Sequence, residues 1–146
     1  MLSTTCKYGI RAVIFIASKP DARSNTGLKE ISEQLRIPQP YLAKILQTLA
    51  RKKILHSTKG PHGGFYLSVP AEKLTLMDII DAIDGRNFFD SCYVTGEKCN
   101  LDKPDDGRCI LHNDLREEKV RLEKFFISKT VDQLVNQVRN DPRVRI

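Results

Sequence analysis

The chain contains no tryptophan, and no continuous apolar run in it reaches the roughly 18 residues that a membrane helix needs. A spanning segment is therefore excluded. The N-terminus, Met-Leu-Ser-Thr-Thr-Cys-Lys-Tyr, has neither the apolar core nor the small-residue cleavage site of a secretory signal, so a cytoplasmic protein is expected. Catalytic signatures are missing as well. The glycines at 60, 63 and 64 are not followed by the Gly-Lys-Ser/Thr that opens the helix of a phosphate-binding loop. No general base, nucleotide loop or nucleophile constellation is apparent either, so no enzyme is expected.

The 146 residues present, 40% hydrophobic and 29% charged, suit one globular domain, or one domain with an interaction extension, and argue against a wholly disordered chain. Charge is unevenly placed. Residues 1–70 hold 11 Lys/Arg against 3 Asp/Glu, a net +8, whereas residues 71–146 hold 13 against 15, a net −2. A polyanion would meet the first half.

Apolar spacing predicts a mostly buried helix from Thr4 to Ser18, stopped by Pro20, and a short second helix that places Leu28, Ile31 and Leu35 on one side. Ile37 and Pro38 interrupt it. A third helix is predicted from about Gln39 to Lys52, with Leu42, Ile45, Leu46 and Leu49 on its apolar stripe and Gln39, Tyr41, Lys44, Gln47, Thr48 and Arg51 on the other face. Two helices joined by a tight turn, the second with a polar and basic outer face, form the pattern of a helix-turn-helix. A strand over 54–58, a turn-rich tip at Lys59-Gly60-Pro61-His62-Gly63-Gly64 and a returning strand over 65–69 then read as a wing. Beyond Pro70, Leu76, Ile79, Ile80 and Ile83 form the apolar face of another helix, stopped by Asp84-Gly85. The fold class expected is mainly α with a small β-hairpin wing: a winged helix-turn-helix over 1–85, a cysteine-bearing loop over 86–111, and a long helix with a last short helix and tail over 112–146.

That loop carries Cys92, six residues, Cys99, nine residues, Cys109, two residues and His112, set among turn-forming Gly96, Asn100, Pro104 and Gly107. Thiolates and an imidazole are donors for zinc and for iron-sulfur clusters, and a loop can gather several of them where a straight helix cannot. In a cytosolic chain such a set points to metal or redox chemistry before a disulfide framework. The spacing is that of no standard zinc finger or ribbon, so it defines a donor set better than it defines the metal. Unrelated free thiols beside a surface histidine are the bland alternative.

These cysteines and His112 stand behind a winged helix that includes Lys59-Gly60-Pro61-His62-Gly63-Gly64-Phe65 and the Leu74 to Gly85 segment. In that combination the chain resembles the IscR/NsrR-type family of bacterial winged-helix regulators over almost its whole length. The resemblance implies a homodimeric DNA-binding regulator in which Cys92, Cys99 and Cys109 hold an iron-sulfur cluster, with [2Fe-2S] favoured over [4Fe-4S]. His112 matches the histidine of the iron-sulfur-regulator branch, and cluster state alters promoter binding. The gaps of six and nine residues exceed the family's compact loops. Zinc, or a thiol or metabolite switch, in place of the cluster is the alternative within the same fold; a small redox or electron-transfer protein is a further one.

For double-stranded DNA, the residues chosen are Gln39, Tyr41, Lys44 and Gln47 on the recognition helix, Lys59 and His62 in the wing, and Thr26 and Lys29 as phosphate donors at the second helix. A two-fold dimer implies a roughly palindromic operator. Leu115, Leu122 and Phe126 of the long helix nearly repeat a seven-residue seam suited to a second subunit, with filling of the monomer's own core as the alternative. Thr130 with Gln133 reads as a capping box that opens a last helix, expected to pack back on the dimer. Cys6 reads as a small buried residue rather than a ligand.

Overall fold

The computed structural model describes residues 2–20, 24–98, 110–141 and 146. Its elements run α1 (Thr4–Ala17), α2 (Leu28–Leu35), α3 (Gln39–Arg51), β1 (Leu55–Thr58), β2 (Gly64–Leu67), α4 (Leu76–Ile83), α5 (Asn87–Asp90), α6 (His112–Ser128) and α7 (Val131–Asn140).

Local chemistry sets most of these boundaries. Ser3 caps α1 by accepting from the Cys6 amide at 3.0 Å. Arg36 ends α2 in the left-handed region, with φ 54, and Pro40 lies in the first turn of α3, where a missing N–H costs nothing. Thr75 with Asp78, and Thr130 with Gln133, form reciprocal capping boxes at α4 and α7. These two capped ends meet: the Leu76 amide donates to Lys129 O and the Val131 amide to Leu74 O, each at 2.8 Å.

The main core joins α1, α2, α3, the wing, α4 and α7 through side chains such as Val13, Ile31, Leu46, Leu49, Ile79 and Val131. A second, smaller core gathers Cys6, Met77, Ile80 and Phe89, with Phe88, Leu122 and Phe126 packed against it. Helix α4 separates the two, since Ile79 faces one core and its neighbour Ile80 the other. Helix α7 packs on α1 of its own chain through Val131 and Val135, whereas α6 lies along the second core. Leu122 and Phe126 turn inward on that core, so the seam read from the sequence is partly the monomer's own packing. Their aromatic neighbours supply the reason: Phe126 packs edge-on against Phe89, with ring centroids 6.2 Å apart.

The wing is a two-stranded antiparallel sheet in which Leu55 pairs Leu67, His56 Tyr66, Ser57 Phe65 and Thr58 Gly64. A bridge from Thr26 to Phe65 adds a short third edge. Gly64 must be glycine, because a Cβ there would lie 2.6 Å from Thr26 O. No helix among the described residues is long and apolar enough to cross a membrane.

Candidate nucleic-acid interface and metal centre

Helix α3 divides along its length. Leu42, Ile45, Leu46 and Leu49 are buried, while Gln39, Lys44, Gln47 and Arg51 face solvent. The turn before it is locked from within: Ser32 Oγ donates to Ile37 O at 2.6 Å, and the Ile37 amide returns to Ser32 O at 3.1 Å. The polar face of α3 is thereby presented on a rigid support. Tyr41 is exposed as well, but its hydroxyl lies 2.6 Å from Thr5 Oγ1 and its ring packs edge-on against Tyr8. Tyr41 thus ties α3 to the start of α1.

Lys29 is exposed and pairs with Glu33 at 3.9 Å, a surface contact of little energy. Thr26 requires a correction. It is 1% exposed, and both its backbone groups pair with Phe65, at 2.9 and 3.0 Å. The side chain that the sequence offered as a phosphate donor faces the core, because the residues before α2 form the third edge of the wing sheet.

Lys59 and His62 lie exposed at the wing tip. Asn25 braces that tip, donating from Nδ2 to His62 O at 3.2 Å and accepting at Oδ1 from Thr58 Oγ1 at 3.1 Å. Sequence reading missed Asn25. Its partners are 37 and 33 residues away, so no local signal marks it.

The cysteine segment begins beyond α5. Cys92 is buried, its amide donates to Glu97 O at 2.7 Å, and its carbonyl accepts from the Gly96 amide at 2.9 Å. Inside this turn, Cys92 Sγ accepts the amides of Val94 and Thr95 at 3.4 and 3.5 Å. His112 is buried at the first position of α6. Cys99 and Cys109 lie outside the described residues, among which no three His, Cys, Asp or Glu side chains converge as a metal site. Cys6 is fully buried. Burial first, and the nearby Asp84 carboxylate second, push its thiol up to about 12, so it stays protonated. Asp84 also accepts from the Ser3 amide at 2.8 Å and from Ser3 Oγ at 2.5 Å, clamping the start of α1 to the end of α4.

Three helices followed by a two-stranded hairpin make a winged helix-turn-helix, the architecture of a DNA-binding regulator. Comparison with known proteins agrees. Residues 2–137 match the Rrf2 family, described as iron-dependent transcriptional regulators. A protein of Aquifex aeolicus, named as an HTH-type transcriptional regulator, is 31% identical over 138 residues, which cover 93% of this chain and 92% of that one. The chain belongs to the Rrf2 family of transcriptional regulators, and the family's members are regulators, not enzymes. Its fold is that of CymR, the global cysteine regulator of B. subtilis, with a TM-score of 0.76 at 20% identity over 94% of this chain and 97% of that one. It is equally that of T. potens IscR, with a TM-score of 0.73 at 19% identity over 100% and 93%.

Proposed function

We propose that this regulator is a cytoplasmic homodimer whose promoter binding responds to an iron-sulfur cluster, [2Fe-2S] in preference to [4Fe-4S], held by Cys92, Cys99, Cys109 and His112. The observation that carries the reading is the setting of Cys92: a buried sulfur inside a closed turn, with two backbone amides aimed at it. Such amides stabilise the negative charge of a sulfur bound to a metal. His112, buried at the start of the helix that packs on α5, adds a nitrogen donor suited to iron. The chemistry of the donors fits the group. When bound, a cluster would supply sensitivity to oxidation and to iron supply.

The remaining residues act on DNA and on the partner. Gln47 and Gln39 can each pair with adenine through two hydrogen bonds, and Lys44 can reach guanine or phosphate. Lys59, His62 and Lys29 supply phosphate contacts, and a dimer would place two such surfaces on a roughly palindromic operator. Helix α6 offers the dimer surface: Phe125 and Ile127 are 47% and 50% exposed, and among the described residues α6 packs chiefly beside α4 and α5. Its 17 residues span about 25 Å at ~1.5 Å each, enough to cross a second subunit.

The test is anaerobic purification with visible spectroscopy and analysis of iron, sulfide and zinc. Colour with iron and acid-labile sulfide in equal amounts, lost in Cys92→Ala, is the expected result. A colourless, iron-free protein overturns the cluster; bound zinc, or a thiol whose oxidation changes DNA affinity, then supports the second reading, favoured by the same amide-bound Cys92 sulfur.

A further inference from the structure

Helix α6 is charged and mostly exposed, and it buries only two residues, His112 and Lys119. They are seven residues apart, two helical turns, and so lie on one face of the helix about 10 Å from each other along its axis. Lys119 is 5% exposed. A lysine is rarely buried without a partner, because its ammonium loses hydration that must be replaced. Here Nζ donates to Ser91 O at 2.5 Å and to Phe89 O at 3.5 Å, and it stands 4.3 Å from the centre of the Tyr93 ring. Among the described residues no carboxylate pairs with it; Glu123 and Glu118 of the same helix go to Arg86 and Arg121.

The position of Ser91 O gives these contacts their meaning. It is the carbonyl oxygen of the peptide bond whose nitrogen belongs to Cys92, and that nitrogen donates to Glu97 O. The peptide is thus held from both sides, by α6 through Lys119 and by the closed turn after Cys92. We propose that Lys119 is the positioning residue of the cysteine site. It fixes the main chain entering Cys92 against the helix that carries His112, and it provides a buried positive charge beside a site meant for an anionic guest. A thiolate-bound iron-sulfur centre is such a guest, and in this respect the inference rests on the reading of Cys92 and His112 as ligands. Without its cation the site would hold the same donors on a looser frame.

The experiment compares the full chain with Lys119→Met and Lys119→Arg, each with and without iron. In the iron-free proteins, hydrogen exchange at the Cys92 and Gly96 amides is expected to rise at least tenfold in K119M and to stay near wild type in K119R, with α2 and α3 unchanged. In the anaerobically reconstituted proteins, K119M is expected to lose its visible absorption in air several-fold faster and to show a lower midpoint potential, since a positive charge favours the reduced centre. Unaltered exchange at Cys92 and Gly96 in K119M overturns the proposal, as does an unchanged potential in a loaded K119M. If K119M does not fold, Tyr93→Leu, at a half-exposed position, removes the ring beneath the ammonium and is expected to show the same changes in smaller measure; no change there is equally fatal. A wild-type chain that takes up no iron would sink the cluster reading, while the exchange comparison would still decide whether Lys119 fixes the segment.

Discussion

Replacing Gly64 by alanine tests how the wing is held. The added Cβ would lie 2.6 Å from Thr26 O and 2.8 Å from Thr26 C, both main-chain atoms, so no side chain can swing away to make room. The strand edge must separate, and with it the two hydrogen bonds between Thr26 and Phe65, at 2.9 and 3.0 Å. At about 0.5–1.5 kcal/mol each, their loss costs roughly 1–3 kcal/mol. For a chain of this size that lowers Tm by about 2–12 °C. Without tryptophan to report unfolding, far-ultraviolet circular dichroism during heating and urea titration is the suitable assay, with hydrogen exchange at the Phe65 amide as the local readout. DNA affinity is expected to fall in parallel, because the tip loses its tether. A G64A protein that melts within about 1 °C of wild type, with Phe65 still protected, would rule out the close approach of Gly64 to the Thr26 main chain.

Thr26→Val is expected to hold or raise stability by up to about 1 kcal/mol in urea titration, because the buried Thr26 hydroxyl has no hydrogen-bond partner among the described residues. It should also leave the salt dependence of DNA binding unchanged. Gln47→Ala is expected to weaken binding to a selected operator by about 1–3 kcal/mol in fluorescence anisotropy, with little effect on non-specific DNA. Phe125→Glu is expected to shift the protein to monomer in analytical ultracentrifugation while its circular dichroism is kept, since the ring is 47% exposed within one chain. Cys6 gives a pH dependence. Its folded thiol lies at about 12 against an ordinary 9, so above pH 9 the unfolded chain releases a proton that the folded chain keeps. The stability it contributes is complete below pH 9 and is lost as pH rises toward 12; urea midpoints at pH 8 and 10.5 should therefore converge in Cys6→Ala relative to wild type.

Much of the fold could be read from apolar spacing and caps. Leu42, Ile45, Leu46 and Leu49 mark the inner face of α3, Pro38 its start, and Thr130 with Gln133 the opening of α7, because each signal lies within a few residues of the element it specifies. What depends on distant chain was not legible. Helix α5 is a single turn, too short to be stable alone, and it forms because Phe89 is buried against Cys6 and Phe126. The burial of Thr26, the bracing role of Asn25 and the inward turn of Lys119 all depend on partners about 30 to 40 residues away. The polar face of α3 and the four proposed ligands were visible as residue types. Their division between buried Cys92 and His112 and exposed Gln39, Lys44 and Gln47 required the packing of α3, α5 and α6.

The proposed function depends on coupling between the DNA-reading wing and helix α3 and a cluster at the cysteine site. Its most direct test is a single anisotropy titration of an operator, selected from random-sequence DNA, with anaerobically loaded and with iron-free protein at one salt concentration. Affinities that differ by about tenfold or more, a coupling of roughly 1.4 kcal/mol, are expected, with the difference abolished in Cys92→Ala. Equal affinities for the two forms of the wild-type protein would contradict it.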